Sequence, residues 1–396
     1  MRIALIADTY PPFRNSGAVQ LRDLSREFVR HGHQLTVVLP SPDLEGLWRI
    51  EDVGGVRILR LKAPRTKDIN YVRRTINEFL MPFAMLRNLR RSPLAKERWD
   101  GVAWYSPTIF LGPMVSAMKR ASACRSYLII RDIFPEWAAD MGLMGRGLPY
   151  HFFKAVANYQ YSVADVIGVQ TPGNCTYFTD WLNVANRRVE VLQNWLANAP
   201  AVGCGISVDT TALAGRKILV YAGNMGVAQG MSTLLDLAEH LKQRSDIGFL
   251  FVGRGSEAQR LRAEVTQRAL DNVAFFDEID PDEVPGLYAQ CSVGLVSLDP
   301  RHKTHNIPGK FLSYMQAGLP VLASINPGND LVELISTENV GRACTDTSVE
   351  SLAANALELV EAITRDRGFK DRCQGLASRL FSPEVAVKQI VSALRT

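Results

Sequence analysis

Short apolar runs alternate with longer stretches of helical period from one end of the chain to the other. Ile3–Ala7, Leu35–Leu39, Val56–Leu61, Gly101–Trp104, Ser126–Ile130 and Val166–Gln170 make a first series of such runs. Ile218–Tyr221, Gly248–Val252, Val273–Phe276, Val293–Ser297 and Val321–Ile325 make a second. Runs this short and this continuously apolar predict strands buried on both faces. Between them, Ala18–His31, apolar at Val19, Leu21, Leu24, Phe28 and Val29, and Met231–Arg244 carry helical period. Strand and helix in alternation predict an α/β fold with a doubly wound parallel sheet, and the pattern runs twice. At Ala197–Gly215 the composition turns small and polar with Pro and Gly, which reads as a linker. The expected domains are therefore 1–197 and 198–380, with a cleft between them. On such sheets ligands bind beyond the carboxyl ends of the strands, so the loops after strands hold the candidate chemistry.

Length supports the division, because single cores stop growing at roughly 250–300 residues and the chain has 396. With 47% hydrophobic and 21% charged residues, disordered, collagen-like and coiled-coil classes are excluded. No apolar run approaches the ~20 residues of a membrane span, and the apolar N-terminus reads as a first strand rather than a signal peptide. The six cysteines, Cys124, Cys175, Cys204, Cys291, Cys344 and Cys373, are scattered, with neither a C-x-x-C pair nor a nearby histidine at ligand spacing. They are expected to be packing residues in a reducing cytoplasm, and no metal is expected. The net charge of +5 is unevenly spread. From Arg60 to Arg98, eleven basic residues stand against Asp68, Glu78 and Glu97 alone, a local excess that suggests an anionic partner.

Three loops carry motifs. The first, Asp8-Thr-Tyr-Pro-Pro-Phe-Arg-Asn15-Ser16-Gly17-Ala, leads into a helix N-terminus. It reads either as an anion site or as a plain turn capped by Asn15 or Ser16. The second, Tyr221-Ala-Gly223-Asn224-Met-Gly226-Val-Ala-Gln229-Gly230, has glycines that let backbone amides approach a phosphate, yet contains neither G-x-G-x-x-G nor a Walker lysine. The third runs Asn306-Ile-Pro-Gly309-Lys310-Phe-Leu-Ser313-Tyr-Met-Gln-Ala-Gly. There a lysine sits in a first helical turn, against the helix dipole. A bound diphosphate would reconcile amides and ammonium; a solvated surface lysine is the other reading.

Tyr71–Arg91 sets Val72, Ile76, Phe79, Leu80, Phe83 and Leu86 at helical spacing among Arg73, Arg74, Arg87, Arg90 and Arg91. This fits an interfacial helix on anionic lipid. A core-facing helix with a basic outer face is the alternative, and no nucleic-acid module accompanies the patch. His33 reads as a packed turn residue, and His302 with His305 is weak metal spacing. Arg131, Asp132 and Glu136 follow a strand, where a carboxylate serves either as base or acceptor ligand or in a structural ion pair.

Over essentially its whole length the chain resembles the GT-B glycosyltransferases of family 4, above all a bacterial branch of N-acetylfucosaminyltransferases and related O-antigen and capsule enzymes. The resemblance is carried, in order, by YPPFRNSGA, HGHQLTVV, RDIFPEW with MGLM, VLQNW, YAGNMGVAQG, VGRGSE and IPGKFLSYMQAGLPVLA. It implies two Rossmann-like domains, the first for acceptor and the second for nucleotide sugar, with a C-terminal helix at 381–396 crossing back to the first. It implies that Asn15, Ser16 and Gly17, with Arg131 and Glu136, face the acceptor. Gly223, Asn224, Gly226 and Gln229 would line the diphosphate, Arg254 would assist, Asp277–Ile279 with Glu278 would hold the base, and Gly309, Lys310 and Ser313 would complete the donor site. The chain departs from the family's pattern where Asn224 and Gln229 replace a basic pair. Its usual glutamate pair falls on His305 and Ser313, and a histidine appears as Arg131.

The implied activity is retaining, metal-independent transfer from a UDP-sugar, such as a UDP-N-acetyl amino sugar, without a cofactor. The acceptor would be a polyprenyl-diphosphate-linked saccharide at the inner face of the plasma membrane. Lys310 would stabilise the departing diphosphate, with Asp132 as a lesser candidate base. The rival readings are a sugar-nucleotide epimerase, a non-catalytic nucleotide-sugar-binding subunit and, last, a nucleic-acid-binding protein.

Overall fold

A computed structural model describes every residue except 14, 199–201, 300, 302–305, 347 and 396. The chain divides into two units, Met1–Trp195 with Pro383–Thr396, and Leu196–Ser382.

The first unit is built on β1 (Arg2–Ile6), β2 (Gln34–Ser41), β3 (Trp48–Val53), β4 (Val56–Lys62), β5 (Gly101–Ser106), β6 (Arg125–Ile130), β7 (Val166–Val169) and β8 (Arg188–Val191). They pair in the order β3-β4-β2-β1-β5-β6-β7-β8. Every pairing is parallel except β3 against β4. Its helices are α1 (Ser16–Arg30), α2 (Tyr71–Leu89), α3 (Gly112–Ser122), α4 (Glu136–Asp140), α5 (Leu148–Val163) and α6 (Pro172–Cys175). Buried Met81, Met85 and Leu89 of α2, Met114, Val115 and Met118 of α3, and Ala157 and Tyr161 of α5 form one core layer with the sheet. Leu21, Leu24 and Phe28 of α1 form the other, together with the helix that follows residue 382.

The second unit contains β9 (Lys217–Ala222), β10 (Ile247–Val252), β11 (Val273–Phe276), β12 (Val293–Ser297), β13 (Val321–Ser324) and β14 (Gly341–Cys344), all parallel, in the order β11-β10-β9-β12-β13-β14. One face carries α9 (Val284–Tyr288), α10 (Gly309–Ala317), α11 (Asp330–Thr337) and α13 (Phe369–Leu380); the other carries α7 (Ser232–His240), α8 (Ala258–Gln267) and α12 (Val349–Arg365). The last helix, α14 (Pro383–Arg395), belongs to the first unit, where Val387, Ile390 and Leu394 are buried with α1.

The apolar runs mark their strands well. The pattern misses β3, β8 and β14, whose short, mixed sequences do not advertise burial. Between β3 and β4, Gly54 and Gly55, both at positive φ (62° and 81°), turn the chain back into an antiparallel edge hairpin held by backbone bonds. The expected linker is also corrected. The division falls between Trp195 and Leu196, and Ile206, Val208 and Leu213 are buried in the second unit's core. These three apolar side chains hold residues 206–213 against that core.

Candidate functional site

The last residue but one of β9 is Tyr221, fully buried and hydroxyl-bearing. Lys310, in the first turn of α10, donates from Nζ to that hydroxyl at 2.8 Å, with its ammonium 4.1 Å from the ring centroid. The tyrosine hydroxyl in turn donates to the carbonyl of Asn224 at 2.7 Å. Lys310 is half-buried and has no carboxylate partner among the described residues. Removal from water without a counter-charge lowers its pKa from 10.5 to about 8. A Cβ on Gly223 would lie 3.8 Å from the lysine Cε, so lysine and glycine loop are neighbours.

The glycine loop holds itself in shape. Gln229 Oε1 accepts from the Gly226 amide at 2.9 Å and from Asn224 Nδ2 at 3.2 Å. Asn224 and Gln229, where the resemblance led to the expectation of a basic pair, are thus spent on loop geometry. A second loop follows β10 and runs beside the first. Gly223 N donates to Val252 O at 2.9 Å, and Met225 N to Arg254 O at 2.8 Å. That approach needs glycine: a Cβ on Gly253 would stand 2.0 Å from Gly223 O, and one on Gly255 2.3 Å from Met225 O. Both sit at positive φ, 149° and 155°. The candidate set omitted them, although the spacing V-G-R-G after a strand was a signal for close backbone approach.

The remaining donor-side residues fall unevenly. Arg254 and Glu278, both exposed, pair with each other at 2.7 Å. Ile279 packs against the core, Ser313 is half-buried on α10, and Gly309 opens that helix in an exposed position. His302 and His305 lie outside the described residues.

In the first unit Asn15 caps α1, accepting from Ala18 N at 2.9 Å, and its amide donates to Thr9 Oγ1 at 3.0 Å. Ser16 is exposed. Gly17 lies where a Cβ would meet Thr9 and the Tyr105 hydroxyl, each at 3.3 Å, which joins the ends of β1 and β5. Arg131 is buried, stacks 4.5 Å from the Trp195 ring centroid and donates to Leu192 O at 3.0 Å. Asp132 is exposed. Glu136 accepts from Tyr177 at 2.6 Å and also pairs with Lys154, so its carboxylate is engaged within the unit. One residue outside the candidate set stands out. Asp8, in the loop just after β1, has its Oδ1 buried and without a partner among the described residues, and burial raises its carboxyl pKa. His33 packs edge-on to Phe28, as a turn histidine should.

Among known proteins, residues 216–362 match the family described as Glycosyl transferases group 1. The chain is 24% identical over 330 residues to the putative colanic acid biosynthesis glycosyl transferase WcaI of Escherichia coli (strain K12), covering 76% of each chain. In structure it resembles sucrose-phosphate synthase from Thermosynechococcus elongatus, with a TM-score of 0.72 at 16% identity over 100% of this chain and 98% of that one. The fold is GT-B. Another solved structure, Anabaena HepE in complex with UDP and glucose, superposes with a TM-score of 0.65 at 16% identity, covering 100% of this chain and 99% of that one. The Lys310 loop and both glycine loops fall inside the family-matched part of the GT-B chain.

Proposed function

We propose that the protein is a retaining, metal-independent glycosyltransferase that uses a UDP-sugar donor. The donor sugar is a UDP-N-acetyl amino sugar such as UDP-N-acetylfucosamine, and the acceptor is a polyprenyl-diphosphate-linked saccharide of a bacterial O-antigen or capsule. The reaction takes place at the inner face of the plasma membrane. One observation carries the reading: an ammonium desolvated without a counter-charge, beside a loop of glycine amides at the end of β9. Such a place favours a ligand of concentrated negative charge, and a nucleoside diphosphate has it. The UDP bound in HepE supports that choice of donor.

In this reading Lys310 and the amides at Gly223–Gly226 and Gly309 stabilise the charge that develops on the diphosphate as the sugar leaves. The acceptor hydroxyl attacks from the same face and passes its proton to the leaving phosphate. Asp132, which is exposed, is the lesser candidate for that proton.

The test is thermal-shift binding with UDP, GDP, ADP and CMP, for wild type and Lys310→Met. UDP at 100 times its Kd should stabilise wild type by about 2.7 kcal/mol, and the variant should lose that shift. Stabilisation by UDP without any turnover of UDP-sugars and lipid-linked acceptors would favour a binding subunit. No stabilisation by any nucleotide would remove the donor site altogether.

A further inference from the structure

Strands β1 and β5 lie side by side in the first sheet, yet the chain leaves them in opposite directions. After β1 it crosses through α1 to β2 and β4; it then returns through α2 to β5 and continues outward to β6, β7 and β8. The strand order therefore reverses between β1 and β5, and the space beyond their carboxyl ends is where such a sheet takes a ligand. Asp8 stands there, two residues past the end of β1. Burial pushes the pKa of Tyr105, on β5, up to about 12, and Arg131, Asp132 and Asp8 all lie near enough to act on it. The ends of β1, β5 and β6 thus share one electrostatic neighbourhood.

Other polar groups at these ends are already bonded within the unit. Thr9 and Asn15 bond each other at 3.0 and 3.2 Å, and the Tyr105 hydroxyl donates to Gln20 Oε1 at 3.1 Å. Asp8 differs. Its Oδ1 is sealed from solvent, and no hydrogen bond or ion pair reaches the carboxylate among the described residues. The residue as a whole is half-buried, which leaves Oδ2 as its accessible oxygen. Glu136 also has one buried oxygen without a partner, but its other oxygen accepts from Tyr150, Tyr177 and Lys154. The cations that act on Asp8 are engaged elsewhere. Lys67 donates to the Asp8 main-chain carbonyl at 3.3 Å and lies 4.2 Å from the centre of the Phe13 ring, and Arg74 is bonded to Glu78 at 2.9 Å. They offset part of the cost of burial without touching the carboxylate. A charge held this way is a strong acceptor at its one open oxygen. A metal ion there would face the repulsion of Lys67 and Arg74, so a neutral donor fits best, and sugar hydroxyls are neutral donors.

We propose that Asp8 recognises the acceptor: its Oδ2 accepts a hydrogen bond from a hydroxyl of the acceptor saccharide. The assignment rests on the transferase reading above and adds to it a specificity residue that the candidate set omitted.

The experiment compares two probes in detergent micelles, undecaprenyl diphosphate carrying one N-acetylglucosamine and bare undecaprenyl diphosphate. Each is titrated calorimetrically into the full chain, and the UDP-dependent thermal shift is recorded on the same preparations. Wild type should bind the sugar-bearing probe about tenfold or more tightly than the bare one, and Asp8→Asn and Asp8→Ala should lose that preference. The UDP shift should be the same in all three proteins. Asp8→Asn should melt no lower than wild type at pH 7, because it removes a buried charge that nothing bonds. Asp43→Asn, which alters an exposed carboxylate of the same unit, should change neither preference nor melting. A wild type without preference for the sugar, or a preference that survives both Asp8 variants, overturns the proposal. Asp8→Asn melting well below wild type would make Asp8 a structural counter-charge to Lys67 and would overturn it too. A preference that needs Asp8 in a protein without any UDP shift would leave this subsite standing and sink the donor reading instead.

Discussion

Lys310 shows how far a single residue can be read. Its place in a first helical turn marks it in the sequence, because an ammonium there opposes the helix dipole. Its partner Tyr221, 89 positions away, is visible only in the fold. The depressed pKa gives a signed prediction. A diphosphate against the ammonium favours its charged form and raises the pKa, so binding takes up a proton once the pH exceeds about 8. UDP affinity should hold steady from pH 7 to about pH 8 and then fall, by at most tenfold per unit, and titration calorimetry across that range would show it. In Lys310→Met the dependence should vanish along with most of the affinity. For folding, the sign runs the other way. Between about pH 8 and 10.5 the unfolded chain holds a proton that the folded lysine has released, so the ligand-free fold gains stability as pH rises through that window. Lys310→Met should therefore melt no lower than wild type at pH 7. The roles of Asn224 and Gln229 could not be read from their identities. Only the geometry shows that both are occupied by the loop they belong to.

At the scale of elements, burial decided what was legible. Strands such as β9 and β10, buried along nearly their whole length, announced themselves as apolar runs. The edge strand β3 and the four-residue β8 and β14 gain their place from backbone pairing, which leaves no mark on side-chain pattern. The two glycine loops of the second unit are legible as spacing but not as a pair. Their mutual approach makes a sharp prediction: Gly253→Ala sets a methyl group on the Gly223 carbonyl and enforces a positive φ, and should cost at least about 2 kcal/mol in urea unfolding. UDP binding should weaken in the same variant, since the β9 loop cannot keep its shape. A variant with wild-type stability would mean that the loops part easily. Helix α2 was legible as amphipathic, yet both of its faces are apolar. One is buried in the core and one is exposed, and periodicity alone does not separate them.

For the molecule as a whole, the repeated α/β pattern gave two units, and the resemblance placed a last helix on the first. Of the segment expected to link them, Ile206, Val208 and Leu213 are buried in the second unit's core. Small residues look like a linker until the few apolar ones among them find a surface. The return of α14 carries its own prediction. Ile390 is fully buried among first-unit residues, so Ile390→Ala should destabilise that unit by about 2–5 kcal/mol. The UDP-dependent shift of the second unit should stay intact in the same sample. Loss of the nucleotide response would show that the units do not unfold separately.

That return also sets an order of manufacture. On the ribosome, residues 1–195 emerge first but lack the helix that covers one face of their sheet, so Ile3, Leu5 and Leu24 keep company with solvent or a chaperone while the second unit is made. The second unit is one uninterrupted stretch and has all its parts as soon as residue 382 is free. The half of the protein that is begun first is the half that is finished last. A gene fragment cut after residue 195 would express an unfinished sheet, whereas splicing 195 directly to 383 would restore a closed one.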